Sequence, residues 1–160
     1  MEWPEPVERI SAFLRATGAE ARLEQFDEGT PTARAAAEAV GCATAQIVKS
    51  LVLICDGNAV VALIPGDRRG DPAKVAKSVG AERARIAHRD EVVVATGFDP
   101  GAVAPFALPT TTTVLVERTI LSSPIVWVGA GSDRHMAALA PLELVRVTRG
   151  ATVDVVQESA

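Results

Sequence analysis

The spacing of apolar positions along the chain predicts an irregular alternation of helices and strands. Val7, Ile10, Phe13 and Leu14 recur at helical spacing, which predicts an amphipathic helix over 6–16 that stops at Gly18. Other helices are predicted from periodicity and capping residues, from Thr30-Pro31-Thr32 through Val40 and at 72–79, 90–95 and 141–147. Strands are predicted around Leu23 and Phe26 and at 50–55, 59–65, 113–117, 125–128 and 152–156.

Two of these strands form a hairpin, because Asp56-Gly57-Asn58 separates the apolar runs SLVLIC and AVVALIP. Both runs read as buried on both faces. Gly129-Ala130-Gly131 is predicted to be a close-packed turn, and no strand is followed by a complete dinucleotide fingerprint. Hairpins mixed with helices in this order favour an α+β fold with a mixed sheet, and one domain over 1–160 is the economical interpretation.

A single lysine stands at the threshold of the most apolar stretch. Lys49 directly precedes the predicted strand that begins at Ser50. A cation that is partly desolvated there is costly unless an anionic group meets it, so a partner is expected. The alternative is that Lys49 extends its head to water with its stem buried.

A second unusual stretch, TGFDPGAVAPFALP at 96–109, has no periodicity and holds three prolines and two glycines. Such a segment in a compact domain is more typical of a functional loop than of a simple connection.

Composition narrows the functional classes. Of 160 residues, 48% are apolar and the formal net charge is −4, which suits a globular domain and argues against non-specific coating of nucleic acid. Arg68, Arg69, Lys74 and Lys77 could still form a local basic patch, although a solvated loop and helix face explains them equally well. Neither a secretory signal nor a membrane span is evident, so a cytoplasmic protein without membrane contact is expected.

Few residues indicate a catalytic or metal site by themselves. Cys42 and Cys55 have no metal-binding spacing and read as small core residues of a reducing compartment. His88 reads as a surface residue, whereas His135 follows a glycine-rich segment and is either structural or functional. No Ser-His-Asp set and no metal site are predicted.

Several ordered motifs resemble the YbaK/prolyl-tRNA synthetase-associated domain family over about 26–156. They are the run from TPTARAAAEAVG through IVKSLVLICDGNAVVALIPGDRRGDPAKVAKSVGA, then TGFDPGAVAPF, IVWVGAGS and PLELVRVTRG. The resemblance implies a mixed, barrel-like sheet surrounded by helices. It also implies a trans-editing deacylase that hydrolyses the ester of a mischarged tRNA, commonly tRNA(Pro), without metal or cofactor.

The resemblance also implies site residues. The family's lysine falls on Lys49, and its glycine-x-x-x-proline loop falls on 101–105, which gives Gly101 and Pro105 catalytic roles beside the 3′-terminal adenosine. Residues predicted to contact the substrate are Phe26, Thr30, Ile47, Ala102, Val103, Ala104, Phe106, Gly131, Ser132 and His135. Water is the expected nucleophile. The expected partners are the aminoacyl end of tRNA and, as a candidate, prolyl-tRNA synthetase; no DNA contact is expected, and the chain is a monomer or a homodimer.

Two departures from the family bear on the substrate. Where the branch that clears Cys-tRNA(Pro) has an aromatic hydroxyl, this chain has Phe26, and where that branch has an aspartate, it has Met136. Alanine or another small amino acid is therefore favoured over cysteine. The alternatives that stay open are the cysteine-clearing branch, a non-catalytic module that binds the tRNA end or a nucleotide, and a partner-binding domain.

Overall fold

The computed structural model describes residues 3–30, 32–109 and 112–158, and within these ranges the helices lie close to their predicted positions. The helices are α1 Glu5–Ala16, α2 Ala33–Val40, α3 Pro72–Val79, α4 Arg89–Thr96 and α5 Pro141–Thr148. The strands are β1 Ala21–Gln25, β2 Ile47–Cys55, β3 Asn58–Pro65, β4 Ala84–Ile86, β5 Thr113–Glu117, β6 Val126–Ser132, β7 His135–Leu139 and β8 Ala151–Val153. Short 3₁₀ turns lie at Thr44–Gln46, Pro100–Ala102 and Arg118–Ser122.

The strands form a mixed sheet. Its order is β1-β7-β6-β2-β3-β5-β8, with β4 added beside β2. β2 pairs in parallel with β6, and β5 pairs in parallel with both β3 and β8, whereas β2–β3, β2–β4, β6–β7 and β1–β7 are antiparallel. The α+β class with a mixed sheet is thus confirmed. Within the described residues the path has β1 and β8 at its ends, and these two strands do not pair with each other.

The helices near the lysine stretch begin and end at the predicted capping residues. Thr32 precedes α2, and its hydroxyl accepts a hydrogen bond from the Ala35 amide. Asp71 does the same for α3 through the amides of Ala73 and Lys74. Both helices end at a glycine in the left-handed conformation, Gly41 and Gly80 respectively, as predicted.

Side chains on the two faces of β2 enter different clusters. Val48 and Val52 belong to the large cluster of buried residues that also contains Phe106. On the opposite face, Ile47 packs in a small cluster under α2, and Leu53 packs in another under α3. Since side chains alternate along a strand, Lys49 faces the same side as Ile47 and Leu53 and lies at the gap between these two clusters.

The start of β2 differs from the prediction. The strand begins at Ile47, three positions before the predicted Ser50, so Lys49 lies within the strand and pairs with Ile64 of β3. The prediction was wrong because it began the strand only where the apolar run from Ser50 starts. Ile47 and Val48 instead pair in parallel with β6, which extends the ordered backbone past the lysine.

The glycine-rich segment also differs, because Gly129-Ala130-Gly131 is not a turn. β6 runs on to Ser132 and pairs with β7, which was not predicted, across an irregularity in register between Gly129 and Ser132. The close packing was predicted correctly, since a Cβ on Gly131 would lie 3.0 Å from Pro6 backbone atoms. β8 is shorter than predicted and ends at Val153, and the three-residue β4 was missed.

Candidate active site

A cavity of about 510 Å³ opens where the start of α2, the start of β2, the 101–103 segment and the β6–β7 connection meet. Many residues predicted to contact substrate line it: Thr30, Ile47, Lys49, Gly101, Ala102, Val103, Ser132 and His135. Met136, which the sequence comparison had linked to substrate choice, also lines it. The sequence did not point to other lining residues, among them Thr32, Ala33, Arg34, Thr44, Val48, Gly66, Gly129 and Asp133. A volume of this size is typical of sites for small ligands or for the end of a larger one.

Lys49 supplies the cavity with a half-buried cation. Its Nζ donates a hydrogen bond to the carbonyl oxygen of Arg68 at 2.9 Å. Burial lowers the pKa of Lys49, nearby Arg69 lowers it further, and Asp67 acts in the opposite direction. Within the described part of the chain Lys49 forms no ion pair, so the anionic partner expected from the sequence is not among these residues.

The 101–105 loop divides between the cavity and the core. Gly101 is exposed, and a Cβ placed on it would meet no atom within 4 Å. Val103 lies against β6, where a Cβ on Gly129 would come 2.7 Å from the Val103 carbonyl oxygen. Pro105 is buried and lines a separate cavity of about 460 Å³, together with Phe13 and other residues. The glycine end of the loop therefore borders the candidate site, and the proline end anchors the loop behind it.

Four other predicted contact residues lie outside the cavity. Ala104 and Phe106 are fully buried in the large core cluster, where Phe106 stacks on Phe13 at 6.1 Å between ring centroids. Phe26 follows the end of β1 and packs edge-on against Trp127 at 6.2 Å. Gly131 packs against the start of α1. Core packing places these four residues outside the cavity, which their positions in the sequence do not reveal.

His135 and Ser132 meet at the β6–β7 connection. Ser132 Oγ lies 2.6 Å from His135 Nδ1 and also accepts a hydrogen bond from the Arg134 amide at 3.0 Å. His135 is only 3% exposed, and its Nε2 is buried without a hydrogen-bond partner in the described part of the chain. Trp3 packs edge-on against the imidazole at 5.4 Å between ring centroids. Burial lowers the pKa of His135, which favours the neutral imidazole, and Asp133 opposes this shift.

The start of α2 forms another part of the cavity wall. Thr32, Ala33 and Arg34 all line the cavity, so the positive end of the helix dipole borders it. Gly66 closes this wall tightly, because a Cβ there would lie 2.7 Å from both Ala33 Cβ and the Thr44 carbonyl oxygen. The capping signal at Thr32 was visible in the sequence, but its approach to Lys49 depends on tertiary packing.

The remaining candidate groups lie elsewhere or are unreactive in character. His88 is exposed at the start of α4, where its amide binds the Glu91 carboxylate. Cys55 is buried and Cys42 half-buried, and burial raises the pKa of both thiols. Over 3–30, 32–109 and 112–158, no group of three His, Cys, Asp or Glu side chains is placed to hold a metal ion. No helix in these ranges is long and apolar enough to cross a membrane.

Fold and cavity together define an α+β domain with one half-buried lysine in the wall of its candidate site. Residues 27–147 match the family model described as the aminoacyl-tRNA editing domain. The match spans more than half of the chain, which therefore belongs to the aminoacyl-tRNA editing domain family, as the sequence motifs predicted. This family places the chain among hydrolases of aminoacyl-tRNA esters.

Known proteins of two kinds resemble the chain. Enterococcus faecalis EbsC, provisionally named a Cys-tRNA(Pro)/Cys-tRNA(Cys) deacylase, is 29% identical over 132 residues, which cover 81% of this chain and 80% of EbsC. The proline–tRNA ligase of Xanthomonas oryzae is 29% identical over 137 residues, covering 83% of this chain but only 24% of the ligase. The chain thus matches most of the free-standing relative and a minor part of the synthetase.

A solved structure agrees over nearly the entire chain. It is the crystal structure of a protein provisionally named a trans-editing enzyme for prolyl tRNA synthetase. The TM-score is 0.91 at 30% identity, and the alignment covers 98% of this chain and 100% of that one. The two chains therefore share one fold over nearly their whole lengths.

Proposed function

We propose that the chain is a trans-editing deacylase, acting as one catalytic domain over 1–160, that hydrolyses the ester of mischarged tRNA(Pro). Its proposed substrate carries a small amino acid such as alanine, serine or threonine. The observation that carries the proposal is Lys49, whose half-buried ammonium lines a cavity of about 510 Å³ and has no ion-pair partner in the described part of the chain. Membership of the editing-domain family supports the same activity.

Lys49 has two candidate roles in this reaction. An ammonium with one hydrogen bond to the Arg68 carbonyl retains two further N–H donors. These can anchor a phosphate near the 3′ end, or they can stabilise the ester carbonyl oxygen as it gains charge in the tetrahedral intermediate. The start of α2 adds a positive helix end to the lining of the same cavity, which favours a negatively charged group there.

Water is the proposed nucleophile, positioned by backbone groups of the loop that contains Gly101. The Ser132–His135 pair is an alternative nucleophile and base that the sequence did not suggest. Water is preferred because Ser132 Oγ already accepts the Arg134 amide, and no carboxylate orients the imidazole within the described residues. A serine nucleophile usually has a base that a third group holds in place.

Met136 supports a small apolar or hydroxylated substrate. Its thioether lines the cavity at the position where the cysteine-clearing branch of the family has a carboxylate. Phe26 carries less weight than expected, since its ring packs on Trp127 outside the cavity. A synthetase distinguishes amino acids that differ by one methylene by only about 1–3 kcal/mol of binding free energy. A second site that admits only small side chains would therefore remove its errors.

Removal of cysteine from tRNA(Pro) is the second candidate, and similarity to EbsC favours it. A third candidate is a module that binds the tRNA end or a nucleotide without hydrolysis. A fourth is a partner-binding domain in which Lys49 merely extends to water. The third candidate would use Lys49 to bind phosphate, whereas the fourth leaves the cation at the wall of a ligand-sized cavity without a chemical role.

The deciding experiment measures release of amino acid from Ala-, Ser-, Thr-, Cys- and Pro-tRNA(Pro) by wild type and by Lys49→Ala. The proposal expects wild type to hydrolyse the alanyl ester fastest, to spare the prolyl ester, and to lose activity in the variant. A preference for the cysteinyl ester would select the second candidate. Binding of tRNA without any release would select the non-catalytic module, and equal activity of Lys49→Ala would refute the role of Lys49.

The proposed partners are the aminoacyl end of tRNA and prolyl-tRNA synthetase, with the chain a monomer or a homodimer. Phosphate contacts release counterions, so affinity for tRNA should fall steadily as salt rises. Titrating uncharged tRNA(Pro) at several salt concentrations tests this, and a flat response would contradict phosphate anchoring.

A further inference from the structure

The last described residues, Asp154–Glu158, form a C-terminal strap beside the β3–α3 loop, Gly66–Asp71. Val155 and Val156 are buried in the cluster under α3, which fixes the strap to the body of the protein. The Asp71 amide donates to the Val155 carbonyl oxygen at 2.8 Å, and the Gln157 amide donates to the Arg69 carbonyl oxygen at 2.8 Å. The strap and the loop are therefore joined by backbone hydrogen bonds around a bridge between Gly70 and Val156.

Arg68 connects this strap to the cavity. Its guanidinium donates from Nη2 to the Gln157 carbonyl oxygen at 2.6 Å, and its own carbonyl oxygen accepts the hydrogen bond from Lys49 Nζ at 2.9 Å. One residue thus holds the strap with its side chain and the lysine with its backbone. We propose that the C-terminal strap is a positioning element for Lys49, and that Arg68 is the positioning residue through which it acts.

Lys74 strengthens the attachment from α3. Its Nζ donates to Asp154, to the Val156 carbonyl oxygen and to Glu158, at 2.8–3.1 Å. Two members of the predicted basic patch, Lys74 and Arg68, are therefore engaged with the strap. The acidic residues there meet Lys74 and leave Lys49 to the carbonyl oxygen of Arg68.

The loop needs such a brace for a physical reason. Lysine has four side-chain torsions, and a half-buried ammonium with a single acceptor takes its position from that acceptor. The acceptor belongs to a polar loop with glycines at both sides, Gly66 and Gly70, and glycine permits many backbone conformations. Without the contacts to Gln157 and Val155, the Arg68 carbonyl would be held only by the loop's own turn, in which the Arg68 amide donates to the Pro65 carbonyl oxygen at 3.1 Å. Lys49 would then point less precisely into the cavity.

Arg68→Ala tests the link, because it removes the contact to Gln157 and leaves the residue-68 carbonyl. This inference rests on the proposed function, so one measurement is kinetic and one is independent of activity. With Ala-tRNA(Pro), the variant should lose about 10- to 100-fold in kcat with KM little changed, since a small displacement of a reacting group is costly. Arg68→Lys, which can still donate to Gln157, should recover most of the loss.

The independent measurement is NMR of lysine side chains. The chain contains three lysines, Lys49, Lys74 and Lys77, so lysine-selective ¹³C labelling gives resolvable signals. In Arg68→Ala the Lys49 Cε signal should move and its titration should approach that of an ordinary lysine, while Lys77 should not change. Arg146→Ala, which removes a surface arginine paired with Glu143 on α5, is the matched control and should resemble wild type in both measurements.

The outcomes separate the two proposals. If wild type releases no amino acid from any tRNA, the proposed function fails, and the Lys49 signal still decides whether Arg68 positions the lysine. Wild-type kcat together with an unchanged Lys49 signal in Arg68→Ala would overturn the positioning role. The positioning role would also be overturned if Arg68→Ala and Arg146→Ala lost equal amounts of kcat and of thermal stability. The loss of activity would then be explained by general destabilisation.

Discussion

The Val103 carbonyl oxygen rests on Gly129, at the point where any larger residue would place its Cβ only 2.7 Å away. The loop that contains Gly101 is thereby held directly over β6. Real Cβ atoms essentially never approach a backbone oxygen so closely. Gly129 therefore sets the height of the loop above the sheet, and with it the width of the cavity between the loop and Lys49.

Two glycine variants distinguish the packing of the loop on β6 from the space that the loop leaves for substrate. Gly129→Ala should push Val103 away, with a loss of about 1–3 kcal/mol in the free energy of unfolding and a loss of deacylation. Gly101→Ala meets open space and should change stability by no more than about 0.5 kcal/mol. Its added methyl group still narrows the site, so deacylation should fall although the protein stays folded. Denaturant unfolding and kinetics measure both, and full activity of Gly101→Ala would contradict a substrate beside this loop.

The sequence located much of the site but not its shape. Lys49 and Gly101 could be found because their motifs survive in the chain, and both line one cavity. The sequence did not show that only the glycine end of the loop borders the cavity, because tertiary packing alone places Pro105 and Phe106 in other parts of the protein. Arg68 was named only as a member of a basic patch, because it contacts Lys49 through a backbone carbonyl that every residue possesses.

Replacement of Lys49 should affect activity far more than stability. Lys49→Met keeps the apolar stem and removes the charge, so the cost of partial desolvation disappears along with one hydrogen bond to Arg68. The free energy of unfolding should change by about 1 kcal/mol or less. Loss of a donor to a developing oxyanion typically lowers kcat by about 10²–10³-fold. Deacylation of Ala-tRNA(Pro) measures this, with Arg146→Ala as the control, and a variant that keeps wild-type kcat would refute the proposed role.

Ser132→Ala distinguishes water from an enzyme nucleophile. If water attacks, the variant should retain activity within about tenfold, since it loses only a hydrogen bond to His135 and one to the Arg134 amide. If Ser132 attacks, activity should disappear and wild type should accumulate an aminoacyl-enzyme. Rapid-quench assays measure the activity of the variant, and intact-protein mass spectrometry detects an aminoacyl-enzyme in wild type. A burst of enzyme-bound amino acid would contradict the water mechanism.

The fold was predictable where side chains alternate or caps are explicit, and it was not predictable elsewhere. The helix boundaries followed from residues such as Thr32 and Gly80, whose roles are local. The strand β7, His135–Leu139, was missed because it is buried along its length and contains two alanines, so no alternation marks it. β6 was cut short because Gly129 and Gly131 resemble a turn in sequence, whereas here they allow close packing within a strand.

Substrate preference should depend on Met136 and not on Phe26. Phe26→Tyr changes a ring that packs on Trp127 away from the cavity, so the order of preference among mischarged tRNAs should stay the same. Met136→Asp places a carboxylate at the cavity wall, where it can meet a polar substrate group, and should raise the rate on Cys-tRNA(Pro) relative to Ala-tRNA(Pro). The variant should also be less stable, because Met136 is only 5% exposed. A changed preference in Phe26→Tyr alone would contradict this assignment.

Burial of His135 should make stability depend on pH on the mildly acidic side. Burial lowers its pKa from the ordinary value of 6.5, so below that value the unfolded chain binds a proton that the folded protein resists. The contribution of the neutral imidazole is therefore complete above pH 6.5 and is lost as pH falls from there through the lowered folded pKa. His135→Gln should remove this part of the slope between pH 7.5 and 5.5 in denaturant unfolding. The same slope in wild type and in His135→Gln would show that His135 is not the group responsible.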